Sequence, residues 1–301
     1  MNRRYVTADV FTDTRFHGNP LAVVLDAEGL STRQMQTVAA EFNYAETTFV
    51  LPPTAAKNTA RIRIFTPVRE MPFAGHPNIG TAYVLAHQAE KEGRSLPDSI
   101  TLEQIAGEVP LRFLRQGNNV VGAELVTPTP FISLSTVSAQ NAALCLSLSV
   151  NDVLTHIHTP QIASVGMPFL IMELMSRNAL RACVPNLSAF KSLFPLDGAT
   201  AVYAYTRAVQ DSASACEIEA RMFTIRMTED PATGGAAAAL AALLSKVQGV
   251  DDLELMIAQG TDIGRPSLLR TAVQTTAKGA FVRLGGECVR MMEGVFFLEG
   301  E

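Results

Sequence analysis

Several features that mark other classes of protein are scarce in this sequence. Charged residues make up 18% of the 301 residues, against roughly 25% in typical globular domains. The net charge of −5 and the lack of a basic cluster argue against nucleic-acid binding. The longest apolar stretch, around Ala236–Leu244, is too short to span a bilayer. Arg3 and Arg4 are followed by no apolar run, so they do not indicate a signal peptide.

Cysteine and metal-binding patterns are equally sparse. The four cysteines are widely spaced and include no CxxC pair, and a chain of this length does not need disulfides. His156 and His158 form an HxH without a third ligand at a suitable spacing, so we predict no metal site. We therefore expect a reduced, cytoplasmic protein without membrane or nucleic-acid partners. The hydrophobic content of 48% fits a large core and is compatible with a homodimer.

A short helix leads to a carboxylate at an unusual place. Ser31 and Gln34 have the spacing of a capping box, and apolar residues recur behind them at helical intervals. Thr47–Leu51 has the β-branched and aromatic character of a strand. Glu46 stands where that strand begins. From spacing alone, a solvated or capping role for this glutamate is the better interpretation, because most glutamates are exposed.

Two segments of the chain repeat one pattern. IFTPVREMPFAGHPNIGTAYVLA begins at Ile64, and MFTIRMTEDPATGGAAAALAALL begins at Met222. Each contains Phe-Thr, then Glu-x-Pro-x-x-Gly, then a helix that is apolar on nearly every side, which is typical of a helix in a protein interior. A pattern that occurs twice predicts a duplicated domain rather than a solenoid.

Each repeat places glycine where its buried helix begins, at Gly75 in the first and at Gly234 and Gly235 in the second. The exposed N–H groups and the dipole of a helix N-terminus favour anions. One such glycine is more often a device for a tight turn. Glycines at the matching place of both repeats, each beside polar residues, favour a carboxylate held between two helix starts that face one cleft.

Turn signals predict the domain boundary and the layout of the tail. The Pro-rich segment Val126–Phe131 is the predicted boundary between domains. The tail from Leu268 to Leu298 predicts several strands, separated by turns at Lys278-Gly279, Gly285-Gly286 and Glu293-Gly294.

These segments, with DVFTDTRFHGNPLAVV, AAEFNYAETTFVL and QGTDIGRPSLL, resemble the PhzF (phenazine biosynthesis protein) family, which has the diaminopimelate epimerase-like fold. The resemblance covers nearly the whole chain, and AGHP together with EDPATG is specific. It implies an α+β fold of two pseudo-symmetric domains, each a β-barrel-like sheet around a central α-helix. The domains would be residues 1–125 with about 288–301, and residues 126–287. It also implies a cleft between them where small molecules are isomerised without a cofactor.

The resemblance assigns roles to particular residues. Glu46 matches the family's proton shuttle, a role that suits a carboxylate when burial raises its pKa towards the working pH. His76 matches the family histidine, at a helix start whose dipole opposes protonation. Asp230 matches the aspartate of EDPATG, although aspartate at this place could also cap the Ala-rich helix. The expected substrate-binding residues are Gly75, Gly234, Gly235, Asn19 and Asn78.

The sequence departs from its relatives at the two helix starts. Epimerases of the wider superfamily use one thiol from each half, where this chain has Ala74 and Thr233, so two-thiol racemisation is not expected. Many relatives have serine in place of Gly235 and threonine in place of Asn78. The identity of the substrate is therefore left open.

The main hypothesis is a cofactor-independent isomerase of a small carboxylate-bearing substrate. Dihydro-hydroxyanthranilate-type isomerisation is the family case, and another hydroxy or amino acid fits equally. One alternative is an amino-acid or hydroxy-acid epimerase that uses Glu46 and Asp230 on opposite faces. The other is a non-catalytic protein that binds small carboxylates.

Overall fold

The computed structural model describes residues 2–95, 97–207 and 216–298. The chain divides into two compact units. Unit 1 is built from Met1–Leu125 and Gly285–Glu301, and unit 2 from Val126–Leu284. The chain therefore leaves unit 1 once and returns to it at its C-terminal end.

Strands dominate both units, and two of the six α-helices in the described part of the chain are long. The strands are β1 (Asn2–Val10), β2 (Asn19–Val24), β3 (Glu46–Leu51), β4 (Ala60–Phe65), β5 (Glu70–Met71), β6 (Ser99–Gln104), β7 (Gly107–Gln116), β8 (Asn119–Val126), β9 (Ile132–Thr136), β10 (Val153–Leu154), β11 (Gln161–Ser164), β12 (Pro168–Leu174), β13 (Ala201–Thr206), β14 (Ile218–Thr224), β15 (Glu229–Asp230), β16 (Glu254–Gln259), β17 (Ser267–Thr276) and β18 (Gly279–Phe297). The α-helices are α1 (Thr32–Phe42), α2 (Gly75–Lys91), α3 (Ala139–Cys145), α4 (Arg177–Arg181), α5 (Leu187–Leu193) and α6 (Gly234–Gln248).

The sheet of unit 1 closes on itself. Hydrogen-bonded neighbours follow the order β1, β2, β3, β4, β6, β7, β8 and β18, and β18 pairs again with β1. The β2–β3 and β4–β6 pairs are parallel. Helix α2 contacts β1, β2, β3 and β7 and is buried along most of its length. An all-round apolar helix therefore occupies the interior of an eight-stranded barrel.

Unit 2 repeats the pairing order of unit 1. Six strand pairs of unit 2 have the same directions, in the same order, as six pairs of unit 1. The pairs of unit 2 are β11–β12, β12–β13, β13–β14, β14–β15, β14–β16 and β16–β17. They correspond to β1–β2, β2–β3, β3–β4, β4–β5, β4–β6 and β6–β7. Helix α6 contacts β11, β12, β16 and β17. The echo in the sequence thus corresponds to a repeated supersecondary arrangement, with α6 in the place of α2.

Helix α1 delivers the chain to Glu46 by local signals. Its N-cap is Ser31, and the capping box with Gln34 is present as predicted. The helix ends at Asn43, which adopts the left-handed conformation with φ 53° and donates its N–H to the Ala39 carbonyl. Asparagine tolerates this conformation better than most residues. The chain then turns directly into β3, whose first residue is Glu46.

The predicted layout of the tail is wrong at two of its three turns. The turn around Lys278-Gly279 is present, but β18 continues without a break through the other two glycine sites. A Cβ at Gly285 would lie 2.7 Å from the Glu124 Cβ, and one at Gly294 would lie 2.9 Å from the Tyr5 hydroxyl oxygen. These glycines allow neighbouring chain segments to approach closely, a role that looks like a turn signal in the sequence.

Candidate active site

Unit 1 brings a carboxylate and an imidazole together. Glu46 is the first residue of β3 and lies opposite Leu21 of the parallel strand β2. His76 is the second residue of α2. Its Nε2 atom lies 3.5 Å from Glu46 Oε2, and the two side chains are 7% and 18% exposed. The structure therefore places two of the three predicted catalytic residues side by side and nearly out of water.

The His76 imidazole is neutral. Burial lowers the pKa of His76 to about 3, and the helix start beside it also disfavours a positive charge. Its Nε2 atom is buried and makes no hydrogen bond to any residue within 2–95, 97–207 and 216–298. A neutral ring of this kind can donate to or accept from a polar group of a small molecule.

A neutral buried histidine makes stability depend on pH. In the unfolded chain the histidine pKa is about 6.5, so below that pH the unfolded state binds more protons than the folded state. We expect the free energy of unfolding to fall with decreasing pH, by up to about 1.4 kcal/mol per pH unit from this group. Urea unfolding of wild type and His76→Asn at about pH 7 and about pH 5 measures it. Equal pH slopes for the two proteins would contradict this assignment.

Helices α2 and α6 differ from the other described α-helices in how they begin. Side chains of Ser31, Ser138, Ser176 and Asn186 cap α1, α3, α4 and α5. Within the described residues, α2 and α6 begin without a side-chain cap, after Ala74 and Thr233. The N–H groups of a first turn need partners. Both glycine-containing helix starts thus retain backbone donors of the kind that bind carboxylates and phosphates.

The Asn78 side chain makes hydrogen bonds to its own helix start and to a neighbouring strand. It is fully buried, and its Nδ2 donates to the Ala74 carbonyl at 2.8 Å. Its Oδ1 accepts from Gln104 Nε2 at 2.9 Å, and Gln104 is the last residue of β6. These bonds favour a bracing role for Asn78. Asn19, also fully buried, lies on β2 two residues before the neighbour of Glu46.

Unit 2 contributes a different set of groups. Asp230 ends the short strand β15 and accepts a hydrogen bond of 2.5 Å from the Thr233 hydroxyl. The N-cap residue of α6 is Thr233 and not Asp230. A Cβ at Gly235 would make ordinary contact with Phe169, at 3.5 Å. Position 235 therefore has space for a small side chain such as serine.

The duplication does not extend to the chemistry. Strand register aligns Glu46 with Ala201, because Thr47 pairs with Phe65 as Val202 pairs with Phe223. By the same register Asp230 corresponds to Met71. His76 and Gly235 are each the second residue of their helix. Each unit therefore supplies polar groups that the other unit lacks.

Comparison with known proteins identifies the family. The model for the phenazine biosynthesis-like protein family (PhzC-PhzF) matches residues 8–294. The chain belongs to the PhzC-PhzF family. It is 36% identical to the trans-2,3-dihydro-3-hydroxyanthranilate isomerase of Pseudomonas aeruginosa over 305 residues, 99% of this chain and 98% of the relative. It is 35% identical to an uncharacterized isomerase of Mesorhizobium japonicum over 304 residues, 98% and 99% of the two chains. The expectation of an isomerase of this family is confirmed.

Solved structures of PhzC-PhzF members and of more distant epimerases share the fold. The PhzF-family phenazine biosynthesis protein of Bacillus anthracis superposes with a TM-score of 0.87 at 25% identity, covering 99% of this chain and 100% of that chain. A hydroxyproline epimerase from Agrobacterium vitis has a TM-score of 0.66 at 12% identity, covering 98% and 91%, and shows the fold alone. The predicted class of two epimerase-like barrels around central helices is confirmed.

Sequence reasoning about the PhzC-PhzF motifs missed a pair of arginines. Arg63 binds Glu70 through two hydrogen bonds of 2.6 Å, and Arg221 binds Glu229 through bonds of 2.9 and 2.6 Å. Each arginine joins the strand before the turn to the short strand that precedes a central helix. The sequence does contain a signal for this pair, because each arginine stands two residues before the Phe-Thr of its repeat.

Tyr203 is a second residue that the sequence did not single out. Its side chain is fully buried on β13, and its hydroxyl has no hydrogen-bond partner among the described parts of the chain. Burial and the nearby negative charge of Asp230 raise the pKa of Tyr203. A neutral phenol therefore lies near Asp230 in unit 2.

His158, the second histidine of the HxH pattern, is buried, and its Nε2 lies 2.8 Å from the Tyr205 hydroxyl. No cluster of three or more metal-ligating side chains was found in residues 2–95, 97–207 and 216–298. In the same ranges, no helix is long and apolar enough to cross a membrane.

Proposed function

We propose that this protein is an isomerase that transfers a proton within a small carboxylate-bearing substrate, with Glu46 as the acid and base. The observation that carries the proposal is the Glu46–His76 pair, 3.5 Å apart, at the uncapped start of the central helix of unit 1. Membership of the family and the named activity of the Pseudomonas aeruginosa relative support it.

Each group has a part in the proposed reaction. The Glu46 carboxylate takes a proton from a substrate carbon, the electron pair of that C–H bond forms a new double bond, and the existing double bond shifts. The same carboxyl group then returns the proton to the far carbon. The substrate and the product have the same atoms and the same oxidation level, so this isomerisation transfers no electrons to another molecule. His76, neutral, holds a polar group of the substrate.

The substrate carboxylate is proposed to bind at the glycine-containing helix starts. Gly75, Gly234 and Gly235 offer backbone N–H groups there, and anions are favoured at such places. Asp230 would accept a hydrogen bond from a hydroxyl or amine of the substrate. The cleft between domains that the resemblance implies stays a prediction. A cytoplasmic homodimer likewise stays a prediction.

Two departures from the family bear on which substrate is used. By the family resemblance, glycine at position 235 and asparagine at position 78 stand where many relatives carry serine and threonine, so the hydroxyl groups of those residues are not available to a substrate here. The proposed substrate is therefore a class, small cyclic or acyclic carboxylic acids with a hydroxyl or amine. Trans-2,3-dihydro-3-hydroxyanthranilate, named for the relative, is the first member to test.

Deuterium transfer from solvent tests the reaction type. Wild-type protein is incubated in deuterated buffer with trans-2,3-dihydro-3-hydroxyanthranilate and, separately, with trans-4-hydroxy-L-proline, and products are analysed by NMR. We expect a shifted double bond with at most one deuterium at the newly saturated carbon, since proton return by one carboxyl group competes with exchange.

The other outcomes distinguish the rival functions. Inversion at one carbon with deuterium there and no shift of a double bond would establish an epimerase. Binding of either compound with no product and no exchange would contradict catalysis on these substrates and favour the carboxylate-binding protein.

A further inference from the structure

Thr233 and Gln259 are polar residues of unit 2 for which the proposed reaction has no role so far. Gln259 ends β16 and is 1% exposed. Thr233 is the N-cap residue of α6, yet its side chain makes no capping bond to that helix. Threonine at an N-cap normally accepts a hydrogen bond from the first turn. Here the hydroxyl is directed elsewhere, to the Asp230 carboxylate.

The donor and acceptor roles in this group are fixed by geometry. Gln259 Oε1 accepts from the Thr233 backbone N–H at 3.1 Å. Gln259 Nε2 donates to the Asp230 carbonyl at 2.8 Å and lies 3.0 Å from Thr233 Oγ1. The reverse orientation of the amide would set its NH₂ against the Thr233 N–H, two donors facing each other. The amide therefore donates to the Thr233 hydroxyl oxygen.

This arrangement determines where the Thr233 hydroxyl proton goes. An oxygen that already accepts from Gln259 directs its own hydrogen to its other neighbour, Asp230 Oδ2, at 2.5 Å. Hydrogen bonds to an ionised carboxylate are short and stronger than neutral ones. A protonated Asp230 would lose the advantage of this bond. The chain from Gln259 through Thr233 thus favours one rotamer and the ionised form of Asp230.

The corresponding place in unit 1 lacks such a chain. Gln104 ends β6 as Gln259 ends β16, but it pairs with the Asn78 side chain. Alanine, at position 74, stands where unit 2 has Thr233. The equivalent of Asp230 is Met71. Among the described residues, the hydrogen-bond chain therefore occurs only in the unit that has a carboxylate at this place, which argues against a purely structural feature of the barrel.

We propose that Thr233 and Gln259 are positioning residues, which hold Asp230 as a fixed, acceptor-only carboxylate towards the substrate. The consequence for catalysis rests on the proposed function, in which Asp230 accepts a hydrogen bond from a hydroxyl or amine. The hydrogen-bond chain itself does not depend on that function, so the two can be tested separately.

The activity-independent test is a proton NMR spectrum of the full chain. We expect a slowly exchanging downfield hydroxyl resonance that disappears in both Thr233→Val and Asp230→Ala and persists in Thr233→Ser. Gln259→Leu, which leaves the hydroxyl free to rotate, is expected to broaden or shift it. A resonance that survives in Asp230→Ala, or its absence in wild type, would overturn the proposed chain.

The kinetic test uses trans-2,3-dihydro-3-hydroxyanthranilate. Loss of a hydrogen bond to a charged group predicts a fall in kcat/KM of about 10- to 100-fold for Thr233→Val, with recovery to within about threefold of wild type in Thr233→Ser. Thr271→Val is the matched control, because it removes another buried hydroxyl of unit 2, one that bonds to the Leu255 carbonyl. Equal losses in Thr233→Ser and Thr233→Val, or in the control, would contradict a positioning role.

Failure of the proposed function gives a different result. Wild-type protein would then shift no double bond in trans-2,3-dihydro-3-hydroxyanthranilate, while the hydroxyl resonance and its dependence on Asp230 would still be present.

Discussion

Glu46→Gln is expected to reduce turnover of trans-2,3-dihydro-3-hydroxyanthranilate by about 10²- to 10⁴-fold, the usual contribution of a general acid or base. Glutamine keeps the shape and polarity of the side chain but cannot carry the proton. The substrate should still bind, because the proposed carboxylate contacts are made by helix starts. We therefore expect the loss in kcat, with KM changed by less than about threefold. Steady-state kinetics and deuterium uptake measure it.

Glu41→Gln is the matched control for this substitution. Glu41 is an exposed residue of α1, five positions before Glu46, and its replacement makes the same chemical change nearby. We expect wild-type kinetics for Glu41→Gln and unchanged thermal unfolding for both variants. Deuterium exchange that persists at the wild-type rate in Glu46→Gln would remove Glu46 from the reaction.

Local signals in the sequence were enough to predict the elements that deliver Glu46 and His76. The capping box of Ser31 and Gln34 depends on residues three apart, so it can be identified without the fold. The central helices can be recognised in the sequence because they are apolar on all sides, a pattern that is typical of a helix in a protein interior. The Glu-x-Pro-x-x-Gly echo identified both helix starts because the duplicated turns retain their glycines.

Features that depend on distant residues were not predictable in the same way. The Thr233 hydroxyl binds Asp230 instead of its helix because Gln259, 26 residues away, directs it there. The glycines at positions 285 and 294 lie in a continuous strand because Glu124 and Tyr5 approach them, and neither neighbour is close in sequence. Propensity indicates what a segment prefers alone, and tertiary contacts decided both cases.

Arg221→Met is expected to lower the free energy of unfolding by about 3 to 5 kcal/mol, the range for removing one partner of a buried ion pair. The Arg221 and Glu229 side chains are each 10% exposed. Arg221 Nη1 also donates to the carbonyls of Leu180, Arg181 and Cys183, at 3.0 to 3.3 Å. The substitution would leave a buried carboxylate and these carbonyls without their donor. Urea unfolding of the full chain measures the change.

The duplicated fold supplies its own control. Arg63→Met breaks the corresponding pair with Glu70, but those side chains are 24% and 21% exposed and water can replace the lost contacts. We expect a cost of roughly 1 kcal/mol there. Should Arg221→Met fail to fold, the double variant Arg221→Met/Glu229→Met also removes the carboxylate that was left unpaired and buried. It should therefore recover part of the free energy of unfolding. A double variant no more stable than the single one, or equal costs at positions 63 and 221, would show that burial of the Glu229 charge is not what makes Arg221 necessary.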